Sequence, residues 1–322
     1  MNEKTIATIA FRQEGFPNLN ETLQEAARGL EDAAARGADL AVLPETINLL
    51  HRNNPSTPLD EFALEDWRHA TALLCEAAVR SNISLVLPLL VRDNGVLANR
   101  FYVLSKKGDS LGFYQKHVPA PGEKSSGVES GNSSPIFWEG LRIGGAICFD
   151  VYYPQAVFDP QLEEGVDLFV IPSLTPAGSV LDYYALTYGV PFVLAYSPWS
   201  RILDRDGTEL AAGGYRSETV NAGFASAVQL ATINFDAVTL FADFNQQKIR
   251  DVERRYGSKV RIRFNQPNCL FTLESRSAEL SVDEVMRKFG LISRRDYFAQ
   301  HSPTAHKTPS SAPPPTTPKE SA

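Results

Sequence analysis

The sequence predicts an α/β layered fold, and three observations carry that reading. Short apolar, β-branched runs recur through the first 235 or so residues. Stretches with apolar residues at helical spacing lie between many of them, and glycine or polar turn residues punctuate the joins. No sequence repeat organises the elements.

Residues 5–11 are apolar and β-branched enough for a buried strand. In residues 20–36 the apolar positions Leu23, Ala27, Leu30 and Ala34 are spaced by 4, 3 and 4, which paints one helix face, and Gly37 follows as a C-terminal stop. Residues 39–43 form the next strand. A second helix is predicted over 59–80, buried through Phe62, Trp67, Leu73, Leu74 and Ala78. Strands follow at 83–91, 99–105 and 110–115, joined by Asn94-Gly95 and a Lys-Gly-Asp turn, so part of the sheet is antiparallel. After a Gly/Ser-rich loop at 121–134 comes the buried run 141–147, ending at Cys148. Further strands are predicted at 167–171, 192–196, 201–204, 209–211 and 227–235, with helices near 154–162 and 181–188. The last ordered part reads as a charged helix at 244–256, strands at 259–264 and 270–273, and a helix capped by Ser281 with Glu284 three residues on. From residue 302 the composition collapses to Ser, Thr, Pro, Ala and Lys, which cannot offset the entropy of ordering a backbone. The expected organisation is a main domain over 1–240, an extension over 241–300 packing on that domain or on a dimer interface, and a disordered tail over 301–322.

Composition excludes several function classes. With 31 Lys+Arg against 38 Asp+Glu, the net charge of −7 gives no surplus of cations for phosphates or anionic lipids, so no nucleic-acid or membrane partner is expected. The apolar run at 83–91 is far below the roughly 20 residues a membrane-crossing helix needs. The N-terminal residues show no secretory pattern. Three cysteines are too few and too odd for a disulfide framework, which points to a reducing cytoplasm. Cys75, inside a predicted helix, reads as a small buried hydrophobe. No Cys or His spacing suits a metal, and no cofactor is expected.

Three reactive side chains stand at the ends of apolar strands, where open α/β sheets gather their sites. They are Glu45 after Ala41-Val42-Leu43, Lys116 in Tyr114-Gln115-Lys116-His117-Val118-Pro119, and Cys148 in Gly144-Gly145-Ala146-Ile147-Cys148-Phe149-Asp150. Singly, each has an ordinary structural explanation: a solvated loop acid, an edge-strand charge, a core thiol. Together they supply a base, a cation and a nucleophile, which is what thiolate attack on a carbonyl requires.

In order and context these motifs resemble the nitrilase superfamily of carbon-nitrogen hydrolases, in its amidase-like branch. Residues 37–45 (GADLAVLPE) are similar to the family's glutamate strand. Residues 99–119 (NRFYVLSKKGDSLGFYQKHVP) resemble the strand, turn and strand leading to its lysine, and residues 142–154 (RIGGAICFDVYYP) its nucleophile elbow. The resemblance covers roughly residues 4–236. It implies a four-layer α-β-β-α sandwich with mixed sheets, commonly paired into dimers, so a homodimer or higher homo-oligomer is expected. It further implies Glu45 as general base, Lys116 as oxyanion-stabilising cation, Cys148 as nucleophile, the Phe149 amide in the oxyanion hole, and Glu123 as the second glutamate many members carry after the lysine.

The chain also departs from the pattern. Pro154 is followed by Gln155 where many amidases have Glu, the stretch Ala185-Leu186-Thr187-Tyr188-Gly189 lacks the usual carboxylate, and the loop from Ala195 to Arg201 is contracted. Tyr152, Tyr153, Ser173 to Pro176, Tyr183, Tyr184 and Trp199 are the candidates for pocket positions, each equally able to be aromatic or polar filler. The expected activity is hydrolysis of a small amide or N-carbamoyl compound through a cysteine acyl-enzyme. Nitrile hydrolysis is the alternative within the same chemistry, which the Cys-Phe-Asp elbow disfavours. A catalytically weak binding protein that keeps the fold is the alternative of another class.

Overall fold

The structure is a computed structural model and describes residues 2–11, 15–214 and 227–302. The first part of the chain lays down β1 (Glu3–Ile9), α1 (Leu19–Ala35), β2 (Leu40–Val42), α2 (Trp67–Ala70), α3 (Ala72–Arg80), β3 (Ser84–Asp93), β4 (Val96–Leu104) and β5 (Ser110–Gln115). There follow α4 (Pro121–Ser125), β6 (Ile136–Trp138), β7 (Leu141–Gly145), α5 (Pro154–Glu163), β8 (Leu168–Ser173), α6 (Val180–Tyr188), β9 (Phe192–Tyr196), β10 (Ser200–Leu203), β11 (Glu209–Gly213) and β12 (Val228–Asn234).

These strands form two six-stranded sheets, ordered β12-β1-β2-β3-β4-β5 and β6-β7-β8-β9-β10-β11. Each sheet reads antiparallel, parallel, parallel, antiparallel, antiparallel along its order. The two halves therefore share a sheet plan that the sequence does not display as a repeat.

Alternation along the strands sorts side chains into three apolar layers. Ala41, Leu85 and Leu87 face α1 and α3, packing on Leu23, Leu30 and Leu74. Leu40, Val42 and Val86 point the other way and meet Ile143, Val170 and Val193 from the second sheet. Phe169, Ile171 and Phe192 turn outward onto Phe158, Leu181 and Tyr184 of α5 and α6. Helix, sheet, sheet and helix are thus stacked as a four-layer α-β-β-α sandwich with mixed sheets, the fold that the sequence resemblance implies. No helix among the described residues is long and apolar enough to cross a membrane.

Several expected elements differ. The helix predicted over 59–80 is broken: Leu64 pairs with Val91 in an isolated bridge, its amide donating to the Leu90 carbonyl at 3.1 Å. The helical path resumes only at Trp67 and is interrupted at Thr71, whose hydroxyl donates back to the Trp67 carbonyl at 2.7 Å. Within the Gly/Ser-rich loop, α4 forms with Pro121 at its first position. The strand β6 is too short to leave a periodicity signal.

The remaining residues build β13 (Ala237–Phe241), α7 (Ala242–Tyr256), β14 (Val260–Asn265), β15 (Leu270–Ser275), α8 (Val282–Phe289) and α9 (Arg294–Gln300). Ser281 accepts the Glu284 amide at 3.2 Å, the cap expected from sequence. A three-stranded sheet, β13-β15-β14, carries its own apolar core of Leu240, Ile249, Val252, Leu273 and Val285. Polar contacts join it to the sandwich. The buried Arg205 donates to the carbonyls of Asn234 and Ala237, both at 2.6 Å, the Thr272 hydroxyl donates to Asp206 at 3.1 Å, and Arg263 pairs with Asp204. Arg294 of α9 donates to the Thr187 carbonyl at 2.9 Å, beside the end of α6. Residues 303–322, which include most of the expected disordered tail, lie outside the described residues.

Candidate active site

Glu45 and Cys148 sit just past strand ends that face each other across the sheet interface, and Lys116 directly follows β5. The exposures are 2% for Glu45, 1% for Lys116 and 8% for Cys148. Burying two opposite charges is costly unless they are paired, and these are. Lys116 Nζ lies 2.7 Å from Glu45 Oε1 and 2.7 Å from Glu123 Oε2. Glu123 reaches this place because α4 turns it inward, where its Oε2 also accepts the Ala120 amide at 2.7 Å. Asn99, buried on β4, bridges the two acids: its Nδ2 donates to Glu45 Oε1 at 2.8 Å and to Glu123 Oε1 at 2.7 Å. The Leu174 amide donates to Glu45 Oε2 at 3.0 Å.

Cys148 opens a single 3-10 turn, Cys148–Tyr152, three residues after β7. Its φ of +49° puts a side-chain-bearing residue in the left-handed region, a conformation that lifts the thiol off the strand end and that the surroundings must hold. Asp150 does much of that holding. One of its carboxylate oxygens accepts the Ile147 amide and the Tyr114 hydroxyl, both at 2.9 Å, and the other accepts the Val118 amide at 2.7 Å. One buried carboxylate therefore ties the cysteine turn of the second sheet to the lysine strand of the first. The sheets also meet tightly here, because a Cβ on Gly145 would come within 2.6 Å of the Phe101 and Tyr114 rings.

The electrostatics set the resting protonation states. Burial pushes the Cys148 thiol up from its ordinary value and the nearby Glu45 carboxylate adds to this, with Lys116 opposing. Burial alone would lower the Lys116 ammonium, but the carboxylates of Glu45 and Glu123 outweigh it and hold the group above its ordinary value. A thiol raised in this way rests protonated at neutral pH beside the Lys116 ammonium. Glu45 is the carboxylate whose charge bears on the thiol.

A cavity of about 390 Å³ opens over the cluster, lined by Glu45, Lys116, Glu123 and Cys148 together with Thr46, Arg52 and five leucines. Among the expected pocket positions, Ser173 is buried next to the thiol and donates to the Thr175 carbonyl at 2.7 Å, while the Thr175 hydroxyl lies 3.7 Å from Cys148 Sγ. Tyr152 and Tyr153 are exposed and pack edge-on against the Phe149 ring. Trp199 lies just before β10, its amide donating to the Tyr196 carbonyl at 3.1 Å. None of Ser173, Tyr152, Tyr153 and Trp199 is among the cavity's lining residues. Among the described residues, no group of three or more His, Cys, Asp or Glu is placed to hold a metal ion.

Sequence reasoning missed Asn99, Asp150 and Thr46, while Leu174, within the expected pocket stretch 173–176, does line the cavity. Asn99 carried a signal, being a polar residue inside the apolar run of β4, and Asp150 lay two residues beyond the nucleophile candidate. The contribution of Leu174 to the acid cluster is a backbone amide, which no side-chain pattern could mark.

The comparisons agree with this architecture. A family model described as carbon-nitrogen hydrolase matches residues 5–185. A 2-oxoglutaramate amidase from Bacillus subtilis is 28% identical over 154 residues, covering 47% of this chain and 58% of the relative. Nitrilase homolog 2 of Dictyostelium discoideum is 26% identical over 150 residues, covering 43% and 45%. The matches span about half the length of these curated relatives. Among solved structures, an amidase of the nitrilase superfamily from Nesterenkonia AN1 superposes with a TM-score of 0.61 at 19% identity, over 79% of this chain and 97% of that one. The fold is shared, and the family match takes in every residue of the buried cluster: the chain belongs to the carbon-nitrogen hydrolase family.

Proposed function

We propose that this protein hydrolyses the carbon-nitrogen bond of a small non-peptide amide or N-carbamoyl compound through a cysteine acyl-enzyme. The observation that carries the reading is the 2.7 Å contact of Glu45 with Lys116 in a cavity that also exposes Cys148. Cys148 Sγ attacks the carbonyl carbon while Glu45 takes the thiol proton, which matters because the thiol rests neutral. The negative charge that develops on the carbonyl oxygen is stabilised by the Lys116 ammonium and the Phe149 amide. Glu45 then passes its proton to the nitrogen as the C–N bond breaks, and ammonia or an amine leaves a thioester. Water, deprotonated by Glu45, attacks the thioester carbon, the C–S bond breaks, and the proton returns to the sulfur as the acid departs. Glu123 and Asn99 position Lys116 and Glu45 for both half-reactions, held by the contacts described above.

The Cys-Phe-Asp elbow supports amide over nitrile substrates, and a panel containing both tests the point. Ammonia release from aliphatic amides, N-carbamoyl compounds and nitriles is expected for the wild-type protein with amides leading, and is expected to vanish in Cys148→Ala. Release that persists in Cys148→Ala would sink the mechanism. A thiol at Cys148 that alkylates no faster in the wild type than Cys75 or Cys269, together with no turnover, would favour the non-catalytic reading.

A further inference from the structure

β8 runs parallel to β7 and ends at Ser173, and that last side chain holds the following residues in an arrangement the hydrolytic mechanism does not use. The buried Ser173 hydroxyl grips one residue from both sides: it donates to the Thr175 carbonyl at 2.7 Å and accepts the Thr175 amide at 2.9 Å. Pro176 follows and disfavours the helical region for Thr175. Between these points the Leu174 amide donates to Glu45 Oε2 at 3.0 Å. Thr175, itself half-buried, is thereby held against the nucleophile: its Oγ1 lies 3.7 Å from Cys148 Sγ and 3.4 Å from Ser173 Oγ. Burial and the Glu45 carboxylate raise the Cys148 thiol, and Lys116, the Leu174 amide and the Ser173 hydroxyl oppose them, so polar groups of this segment already bear on the sulfur.

The bonding fixes which hydroxyl is the donor. A carbonyl only accepts, so the one Ser173 hydroxyl proton is committed to the Thr175 carbonyl, and the proton shared between the two hydroxyls belongs to Thr175. That proton has two acceptors within reach, Ser173 Oγ and Cys148 Sγ. The sulfur of a thiol or thioester accepts weakly, whereas a thiolate accepts strongly, so the hydroxyl turns to the sulfur when the sulfur carries charge. Such charge arises twice: as the Cys148 proton moves to Glu45, and as the C–S bond of the thioester breaks. We propose that Thr175 is a further catalytic residue, its hydroxyl a switched donor that stabilises the Cys148 sulfur at these two moments and not in the resting or acylated enzyme. A hydrogen bond made only there lowers the barriers without tightening the ground state. No proton leaves Thr175, and Glu45 carries the proton in both directions. The inference deepens the hydrolytic reading and rests on it for turnover, while the reactivity of the thiol tests it separately.

The test is the pH profile of iodoacetamide labelling at Cys148 in the wild type, Thr175→Val and Thr175→Ser. The charged groups that bear on the thiol, Glu45 and Lys116, are the same in all three. Valine keeps the shape of the side chain and removes the donor. Labelling at neutral pH is expected to fall about 10-fold and the midpoint of the profile to rise by about one pH unit, the low end for a hydrogen bond to a charged group. Serine is expected to restore most of the wild-type profile. On an accepted amide, kcat is expected to fall by a similar factor in Thr175→Val with KM little changed. An unmoved midpoint in Thr175→Val, or a Thr175→Ser profile that follows valine, would overturn the assignment and leave hydrolysis by Cys148 standing. A shifted midpoint with no turnover of any amide by the wild type supports the hydrogen bond and counts against the hydrolytic reading instead. Thermal melts check that the variants stay folded, and if valine is not accommodated Thr175→Ala gives the same reading, an unmoved midpoint again overturning the assignment.

Discussion

The Asp150 carboxylate accepts the Val118 amide at 2.7 Å, and through that bond the turn carrying Cys148 is fixed against the strand end carrying Lys116. The other oxygen, bonded to the Ile147 amide and the Tyr114 hydroxyl, completes a clamp between the two sheets. Asp150→Asn keeps the size of the side chain but turns a donor towards other donors. A loss of about 1–3 kcal/mol in a denaturant melt is expected, the cost of leaving buried partners unsatisfied. Tyr114→Phe removes one of these bonds and is expected to cost less, and a variant order opposite to this would discount the clamp.

Charge around Cys148 makes two substitutions act in opposite directions on its reactivity. Burial and then the Glu45 carboxylate raise the thiol, while Lys116 lowers it. Glu45→Gln should therefore increase the thiolate fraction at neutral pH and speed iodoacetamide labelling of Cys148, even as turnover falls by orders of magnitude for want of a base. Lys116→Met should slow labelling. Labelling rates measured across pH 6–10 by mass spectrometry check both signs.

The same shift carries a stability consequence. Because the folded state holds the Cys148 proton more tightly than the unfolded chain does, the group contributes stability below the ordinary thiol range and loses it as pH rises through the raised value. Melting temperatures of the wild type and Cys148→Ala, compared from neutral to alkaline pH, are expected to show a steeper alkaline decline in the wild type.

Asn99 holds two carboxylates apart with one amide group, at 2.8 Å and 2.7 Å. Asn99→Asp replaces the donor with a third negative charge beside Glu45 and Glu123, and about a 10²-fold or larger drop in kcat is expected, greater than for the uncharged Asn99→Ser. Steady-state ammonia release on a single amide distinguishes the two variants.

Gly145 tests the closeness of the sheets. A methyl there would meet the Phe101 and Tyr114 rings at 2.6 Å, so Gly145→Ala is expected to cost about 1–3 kcal/mol as overpacking, read from urea midpoints. The neighbouring strand position Ile143→Val only removes a methylene and should cost about 1 kcal/mol.

Much of this protein was legible from sequence for a local reason. The short apolar run in 39–43 and helical spacing in 20–36 are short-range signals, and they marked β2 and α1 nearly to the residue. Glu45, Lys116 and Cys148 were visible because each ends an apolar strand, and their order along the chain matched a family. What lay beyond sequence is non-local. The break at Leu64 arises from a bridge to Val91, and the Glu45-Lys116-Glu123 cluster joins residues 71 and 78 positions apart in the pairs Glu45/Lys116 and Glu45/Glu123. Asn99 and Asp150 became meaningful only when folding buried them between charges and amides that the sequence places far away. The sequence by itself determined most of the strands and helices and the three reactive side chains, since these follow from local periodicity and strand-end position. Only the tertiary structure decided which polar groups share a buried volume, and in a low-dielectric interior that proximity sets the protonation state of Cys148.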